Sequence, residues 1–398
     1  MFLDRWTVPM ALTAIAGVVC GCSSEVGDQS TVMAIPIDAI DVLSTLENVT
    51  RVVDVQPTED EHVWVLNSQP PYFAVVGPDG EIQREFGEQG GGPQEFDHPV
   101  SLVGVPGSTD MWVYDWARNA LIEISPDSRR TLRLPKDTIP VPSLVSFKGA
   151  GINPAPPWLE SAGDGFLFAR ARTPRSETAL HLWSADVLRI SGDETALVGL
   201  EAPLADLLGE PQAVYGGATV LMPYPLWSTC RDGALGLYDP LGGVLRRFAP
   251  ATGEEMTPVP LPEPTPVEMT PDLVFEMFYR QFAEDRPGNQ GPGMEQMREL
   301  TREQNREFVQ NSNESFPEYS ELRCDTRGEF WLRRFDPTRG RLGLGPDWLH
   351  ISVDGTHSLV SLPPSFRVFR IEQDRMWGTL RDELGVESVA LLELTPLR

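Results

Sequence analysis

Met111-Trp112-Val113-Tyr114-Asp115, followed by Ala120 to Ile124 and then Ser125-Pro126-Asp127, is the stretch on which the fold turns. Short apolar runs bounded by turn formers carry the period of β-strands rather than helices. The same unit recurs along the chain: a Gly- or Asp-bearing turn, a short strand often ended by Asp, and a second strand. Val63-Trp64-Val65-Leu66-Asn67 precedes Tyr72 to Val76, and Gly165-Phe166-Leu167-Phe168-Ala169 precedes Leu180 to Trp183. Gly233 to Asp239 precedes Val244 to Phe248, Gly328-Glu329-Phe330-Trp331-Leu332 precedes Trp348 to Val353, and Asp374-Arg375-Met376-Trp377-Gly378 precedes Ser388 to Leu394.

The six copies stand about 48, 55, 69, 95 and 46 residues apart, and the shorter spacings match a four-stranded blade of roughly 40 to 50 residues. Sheets arrayed radially in this way make a β-propeller. The expected fold class is therefore all-β, a six-bladed β-propeller over residues 33–398. The last copy offers three strands, and the apolar segment 34–42 has no partner near it. That segment is expected to supply the fourth strand and close the ring.

The run Phe86-Gly87-Glu88-Gln89-Gly90-Gly91-Gly92-Pro93-Gln94-Glu95-Phe96-Asp97-His98-Pro99, leading into Met111–Asp115, resembles the NHL-type repeat of six-bladed propellers. The resemblance covers roughly Val53 to Ile124, and the third and fourth copies lack a second such turn. It implies a propeller that hosts binding or chemistry, without saying which. The turn itself reads as structural: glycines reach positive φ, Pro93 fixes φ, and Phe96 is an apolar plug between blades. An anion cradle is the alternative use of Gly90-Gly91-Gly92, but no P-loop Lys accompanies it.

One segment breaks the pattern. Thr270-Pro271-Asp272 reads as a helix start, and Leu273, Val274, Met277, Phe278 and Phe282 follow at helical spacing. Met294, Met297, Leu300 and Phe308 mark a second helix. A helical insertion is thus expected at about 270–312, between blades four and five. The face formed by Leu273, Val274, Met277, Phe278, Phe282, Met294, Met297 and Phe308 is the candidate partner surface or lid, with simple cover of a blade edge as the alternative.

At the amino end, Val8 to Val19 is too short to span a bilayer as a helix, which needs about 20 apolar residues, and reads as a signal-peptide core. Val19-Cys20-Gly21-Cys22 resembles a bacterial lipobox, which implies cleavage of residues 1–21 and lipidation of Cys22. Residues 22–32 then form a flexible tether. The implied place is the bacterial cell envelope, lipid-anchored, with Ser23 favouring the outer membrane, facing the periplasm or the cell surface. Cys230 and Cys324 remain in the body, either as a disulfide or as free thiols, since spacing alone does not decide.

The 398 residues carry 58 acidic against 32 basic side chains, a formal net charge of -26. That balance excludes a sequence-independent nucleic-acid binder, which needs clustered Lys and Arg. No motif carries nucleophilic serine or zinc-protease chemistry. Three of His62, His98, His181, His350 and His357 could converge on a metal, as in some propeller lyases; surface or strand positions are the expected reading. Asp54, Asn67 and Glu81 are of the oxygen-ligand types that lactonase-like propeller hydrolases place round a divalent ion. Asp115, Asp239 and Asp336 are expected to accept turn hydrogen bonds, and Trp64, Trp112, Trp331 and Trp377 to pack between blades. With no catalytic constellation, the expected function is a propeller that binds or scaffolds a protein, peptide or glycan, without a cofactor. The alternative is a metal-dependent hydrolase or lyase with a divalent cation in the central channel.

Overall fold

The computed structural model describes residues 32–46, 51–92, 95–104, 111–124, 131–133, 139–140, 159–162, 165–172, 184–191, 194–202, 226–230, 232–240, 242–249, 254–263, 265–274, 276–277, 315–339, 343–372 and 374–394, and for 139–202 it describes backbone pairing alone. These residues are almost wholly β, and consecutive strands pair antiparallel into separate sheets. Strands Val52–Pro57, Val63–Asn67, Phe73–Val76 and Ile82–Phe86 form one sheet. Pro99–Gly104, Met111–Asp115, Ala120–Ile124 and Thr131–Arg133 form the next. Leu226–Thr229, Leu235–Asp239, Val244–Phe248 and Val259–Pro260 form another, and Tyr319–Cys324, Phe330–Phe335, Leu344–Ile351 and His357–Ser361 a fourth. The fifth joins Phe366–Glu372, Arg375–Arg381 and Glu387–Glu393 to Ile40–Thr45.

The first strands of neighbouring sheets pack against one another. Val52–Pro57 lies between Pro99–Gly104 and Phe366–Glu372, and Tyr319–Cys324 between Leu226–Thr229 and Phe366–Glu372. Sheets that meet at their first strands and splay outwards are blades, so the architecture is an all-β propeller. Five blades carry described side chains, one fewer than the six copies of the repeat. The strands within 139–202 make a further sheet.

Apolar residues fill the spaces between blades rather than one central core. Val55, Val65 and Val76 of one sheet meet Phe369, Trp377 and Val389 of another. Phe366, Val368 and Met376 meet Trp331 and Trp348, and Tyr238 and Leu245 meet Phe330, Leu332 and Leu349. Phe73 and Leu66 meet Leu102, Val113 and Phe96. Phe96 is the interblade plug anticipated from its turn, with its ring 4.7 Å from that of Phe73. Of the recurrent tryptophans, Trp331 and Trp377 are buried in clusters shared by two blades, and Trp112 is buried. Trp64 packs against the cluster of Phe73 and Leu102 and meets Phe86 of its own sheet edge-on at 5.7 Å.

The Gly-rich turn is occupied by the chain itself. Glu95 accepts a 2.6 Å hydrogen bond from the Gly92 N–H, and Arg118 donates to the Gly90 carbonyl. Gly90 takes a φ of 150°, open to glycine because no Cβ is present. Pro93 lies outside the described residues.

Ile40–Thr45 pairs antiparallel with Glu387–Glu393, from Ile40 opposite Leu392 to Thr45 opposite Ser388. The closing segment is therefore not one strand over 34–42. Met33–Ala34 instead runs parallel to His357–Ser361 on the neighbouring sheet, and a 3-10 turn at Ile37–Ala39 redirects the chain between them. The helical insertion is described only as far as 271–274 and 276–277, where the Leu273 N–H donates to the Thr270 hydroxyl at 3.3 Å. Residues 275 and 278–312 are outside the described residues, as are residues 1–31 with Cys22. Cys230 and Cys324 are bonded to each other, with Cα atoms 5.0 Å apart. The bridge ties the ends of two inner strands on adjacent blades.

Candidate functional site

The first strands bring a row of polar side chains to the inner edge of the propeller. Register makes them equivalent. Asp54 stands opposite Leu66, Ser101 opposite Tyr114, Glu321 opposite Arg333 and Arg367 opposite Thr379. Each partner follows Trp64, Trp112, Trp331 or Trp377 by two positions in the second strand. One step along the same face, Gln56 stands opposite Trp64, Arg323 opposite Trp331 and Arg370 opposite Trp377. In the first three of these sheets the register shifts just before the first layer, whereas in the last it shifts between Val368 and Arg370. An extra residue at a bulge keeps flanking side chains on one face, which is why Arg367 and Arg370, three apart, share a face.

Asp54 is almost wholly buried and accepts from the Leu102 N–H at 2.8 Å and the Ser101 hydroxyl at 3.4 Å. Arg370 reaches across from its own blade to Asp54 (2.9 Å), the Gln56 side-chain carbonyl (2.8 Å) and the Leu102 carbonyl (2.8 Å). One guanidinium thus joins three blades. A second network lies on the next blade: Arg323 donates to Glu321 at 2.5 Å and 2.8 Å, and Arg333 contacts Glu321 at 3.4 Å and donates to the Gly345 carbonyl at 2.7 Å. All three charges are buried. Burial pulls the Arg333 guanidinium below its ordinary value, while Glu321 acts in the opposite sense. Buried charges persist only when paired and hydrogen-bonded, and here each carboxylate has a cationic partner.

At the start of the inner strands the balance changes. Arg367 donates to the Val52 carbonyl at 3.2 Å and lies over the Phe369 ring, 4.5 Å from its centre. Loss of hydration, and then the charge of Arg51, bring its guanidinium down to about 10. Beside Tyr319, Glu318 accepts from the Tyr238 hydroxyl at 3.3 Å. Burial raises the Glu318 carboxyl above its ordinary value, against the hydrogen bonds and Arg334, which lower it. The folded state therefore holds this proton to higher pH than the unfolded chain, and stability falls as pH rises from the unfolded carboxyl value, about 4.3, through the raised folded one. Glu318→Gln is expected to be more stable than the parent at neutral pH, with the difference disappearing near pH 4; paired thermal unfolding at both pH values checks this.

Neither a protein-family model nor a curated protein matches the chain. Its backbone is similar to solved propellers. Virginiamycin B lyase from Staphylococcus aureus aligns over 88% of this chain and 87% of its own, with 12% identity and a TM-score of 0.41. Regucalcin from Agrobacterium tumefaciens, a calcium-binding protein, aligns over 91% and 97% with 12% identity and a TM-score of 0.41. A gluconolactonase from Xanthomonas campestris aligns over 89% of each chain, with 12% identity and a TM-score of 0.42. Likeness at this level transfers no residue and no activity.

The candidate oxygen ligands do not come together. Asp54 is held by Arg370, Asn67 is buried beside the Arg51 N–H at 3.3 Å, and Glu81 is exposed in a turn. The histidines serve separate places: His62 contacts Gln83 at 3.1 Å, His350 contacts Glu329 at 3.1 Å over Trp331, His98 meets Trp116 edge-on, and His357 is exposed. His181 lies outside the described residues. Among the described residues no three His, Cys, Asp or Glu side chains gather as a metal site. Asp115, Asp239 and Asp336 accept turn hydrogen bonds, from the Asp97 N–H at 2.8 Å, the Gly242 N–H at 2.9 Å and the Thr338 N–H at 2.9 Å. Of the candidate partner face, Val274 and Met277 are fully buried and Leu273 is half-buried. Phe278, Phe282, Met294, Met297 and Phe308 lie outside the described residues.

Apart from Asp54, which the sequence offers as a metal ligand, the inner-edge charges are the residues that sequence reading passed over. Their signal is positional: Asp54, Glu321 and Arg367 each stand ten residues before Trp64, Trp331 and Trp377, and Ser101 eleven before Trp112.

Proposed function

We propose that this chain is a lipid-anchored binding or scaffold module of the bacterial cell envelope, with a six-bladed NHL-like propeller that takes a protein, peptide or glycan. The observation that carries the reading is the state of the inner edge. Asp54, Glu321, Arg323, Arg333 and Arg370 are engaged with one another and with backbone, which suits a rigid recognition surface better than proton transfer or metal ligation. The sixth blade would be the sheet within 139–202, a reading supported by its strand Leu159–Ala162 lying beside both Pro99–Gly104 and Leu226–Thr229. The Cys230–Cys324 bridge supports an exported body, because such bonds persist in oxidising compartments.

In this reading residues 1–21 are removed, Cys22 carries the lipid, 22–32 form the tether, and the protein sits on the outer membrane. The apolar stripe of Leu273, Phe278, Phe282, Met294, Met297 and Phe308 would serve the partner, without the buried Val274 and Met277. The test is native purification of the full chain from envelope membranes beside a Cys22→Ala variant. The expected result is membrane retention that depends on Cys22, with a stoichiometric protein, peptide or glycan held by the parent. A stoichiometric divalent ion and no retained partner would replace this reading with the hydrolase or lyase.

A further inference from the structure

Three of the large apolar side chains that stand exposed among the described residues fall within residues 32–42: Val32 is 49% exposed, Ile37 56% and Val42 51%. Single exposed aliphatics need no explanation, but a run of them marks a contact surface. The topology keeps this run together. Met33–Ala34 is the outermost strand of one sheet and Ile40–Thr45 the outermost strand of the next, with the 3-10 turn Ile37–Ala39 between them. The inner strands of these two sheets, Tyr319–Cys324 and Phe366–Glu372, lie side by side. Ala34, Pro36 and Ala39 are exposed as well, so an apolar belt follows the outer edge of two adjacent blades.

The belt contains no lysine or arginine, and its charged side chains, Asp38 and Asp41, are both exposed. It therefore has nothing with which to pair a phosphate or an acidic protein. What it offers is aliphatic area. Its place in the chain says what covers that area. Val32 is the first described residue and follows Cys22 by ten positions. Ten residues reach at most about 35 Å when fully extended, so a lipid on Cys22 holds this edge closer to the membrane surface than the thickness of one bilayer.

We propose that residues 32–42 form an interfacial contact through which the outer edge of these two blades rests on the lipid surface. The proposal rests on the lipid-anchored reading and adds to it the side that the body turns to the membrane. Outermost strands present unpaired backbone groups, which do not enter hydrocarbon, and Asp38 and Asp41 stay hydrated. The contact thus stops at headgroup depth. A few half-exposed aliphatic side chains hold a protein on a bilayer no better than one acyl chain does, which is marginally. The lipid retains the body, and the belt orients it.

The experiment places a polarity-sensitive fluorophore on one added cysteine in the full-length chain, Ile37→Cys, Val42→Cys or, as a reference on another blade, Met256→Cys. All three positions are exposed, so the changes leave the core intact, and the parent chain carried through the same labelling gives the background. Each protein is purified from envelope membranes and reconstituted in phosphatidylcholine vesicles in which part of the lipid carries a nitroxide on its headgroup. The label at 37 and at 42 should be quenched several-fold more than the label at 256. Raising the salt should leave that difference in place, because no basic side chain contributes; a difference that salt abolishes overturns the apolar contact.

Equal quenching at all three positions, or none at 37 and 42, in a chain whose membrane retention depends on Cys22 overturns the belt and leaves the lipid-anchored reading standing. Both labels silent in a chain that elutes as a dimer assigns the face to a second copy, and the lipid contact falls. If the Cys22→Ala chain stays on membranes as well as the parent does, the anchored reading falls, and quenching at 37 and 42 on added vesicles decides the belt by itself.

Discussion

Asp54→Ala is expected to lower the unfolding free energy by about 3–5 kcal/mol, the range for removing one partner of a buried ion pair. The loss is large because it strands several groups at once. The Leu102 N–H and Ser101 hydroxyl lose their acceptor, and Arg370, whose side chain is only 18% exposed, keeps its charge without its carboxylate. Denaturant unfolding monitored by tryptophan fluorescence measures the change. Arg370→Met in the same background supplies the control. With both partners gone no charge is left unpaired, so the double variant should be more stable than the sum of the two single losses predicts, by about 1–3 kcal/mol. A loss below about 1 kcal/mol for Asp54→Ala alone would mean that the three blades are held together without this network.

Reducing the Cys230–Cys324 bridge, or replacing both residues with Ala, is expected to cost about 4–5 kcal/mol. The two residues are 94 apart in sequence, and closing a loop of that length restricts the unfolded chain by about this amount in the chain-entropy account. Cys230 is buried among Tyr238, Leu245 and Leu322, so the same change loosens packing between two adjacent blades. Unfolding midpoints with and without reductant, compared with the double Ala variant, measure it. Identical midpoints in all three would show that the crosslink leaves the stability of the folded state unchanged.

The blades were legible because a strand announces itself locally. Alternation, Asp-Gly turns and a Trp at a fixed place in the second strand recur whatever the rest of the chain does, and Trp331 and Trp377 are indeed buried between sheets. Phe96 could be assigned for the same reason. Pairing between distant segments was legible only in outline. That 34–42 splits between two sheets depends on a 3-10 turn at Ile37–Ala39, for which Ile-Asp-Ala carries no strong signal.

The inner-edge site was hidden for a different reason. Asp54, Glu321 and Arg370 sit in strands where a lone charge reads as solvent-facing; Asp54 and Arg370 find each other across blades from more than 300 residues apart, and Glu321 is paired with Arg323 and Arg333 within its own blade. Asp54 was singled out as an oxygen ligand by residue type, whereas its surroundings make it the anchor of an arginine. The bulge that aligns Arg370 with Arg367 has no sequence marker at all.

The pairing of Ile40–Thr45 with Glu387–Glu393 also bears on how the molecule reaches its native state. Its register joins Ile40 to Leu392 and Thr45 to Ser388, contacts of nearly the greatest sequence separation the chain allows. The entropy of closing so long a loop must be spent before the pairing returns anything. During synthesis the early strand has no partner until residues near 390 emerge, and until then Glu387–Glu393 and Ile40–Thr45 both present unsatisfied backbone edges. Ring closure thus depends on the kind of long-range pairing that slows folding, and until it forms both strands keep unpaired edges.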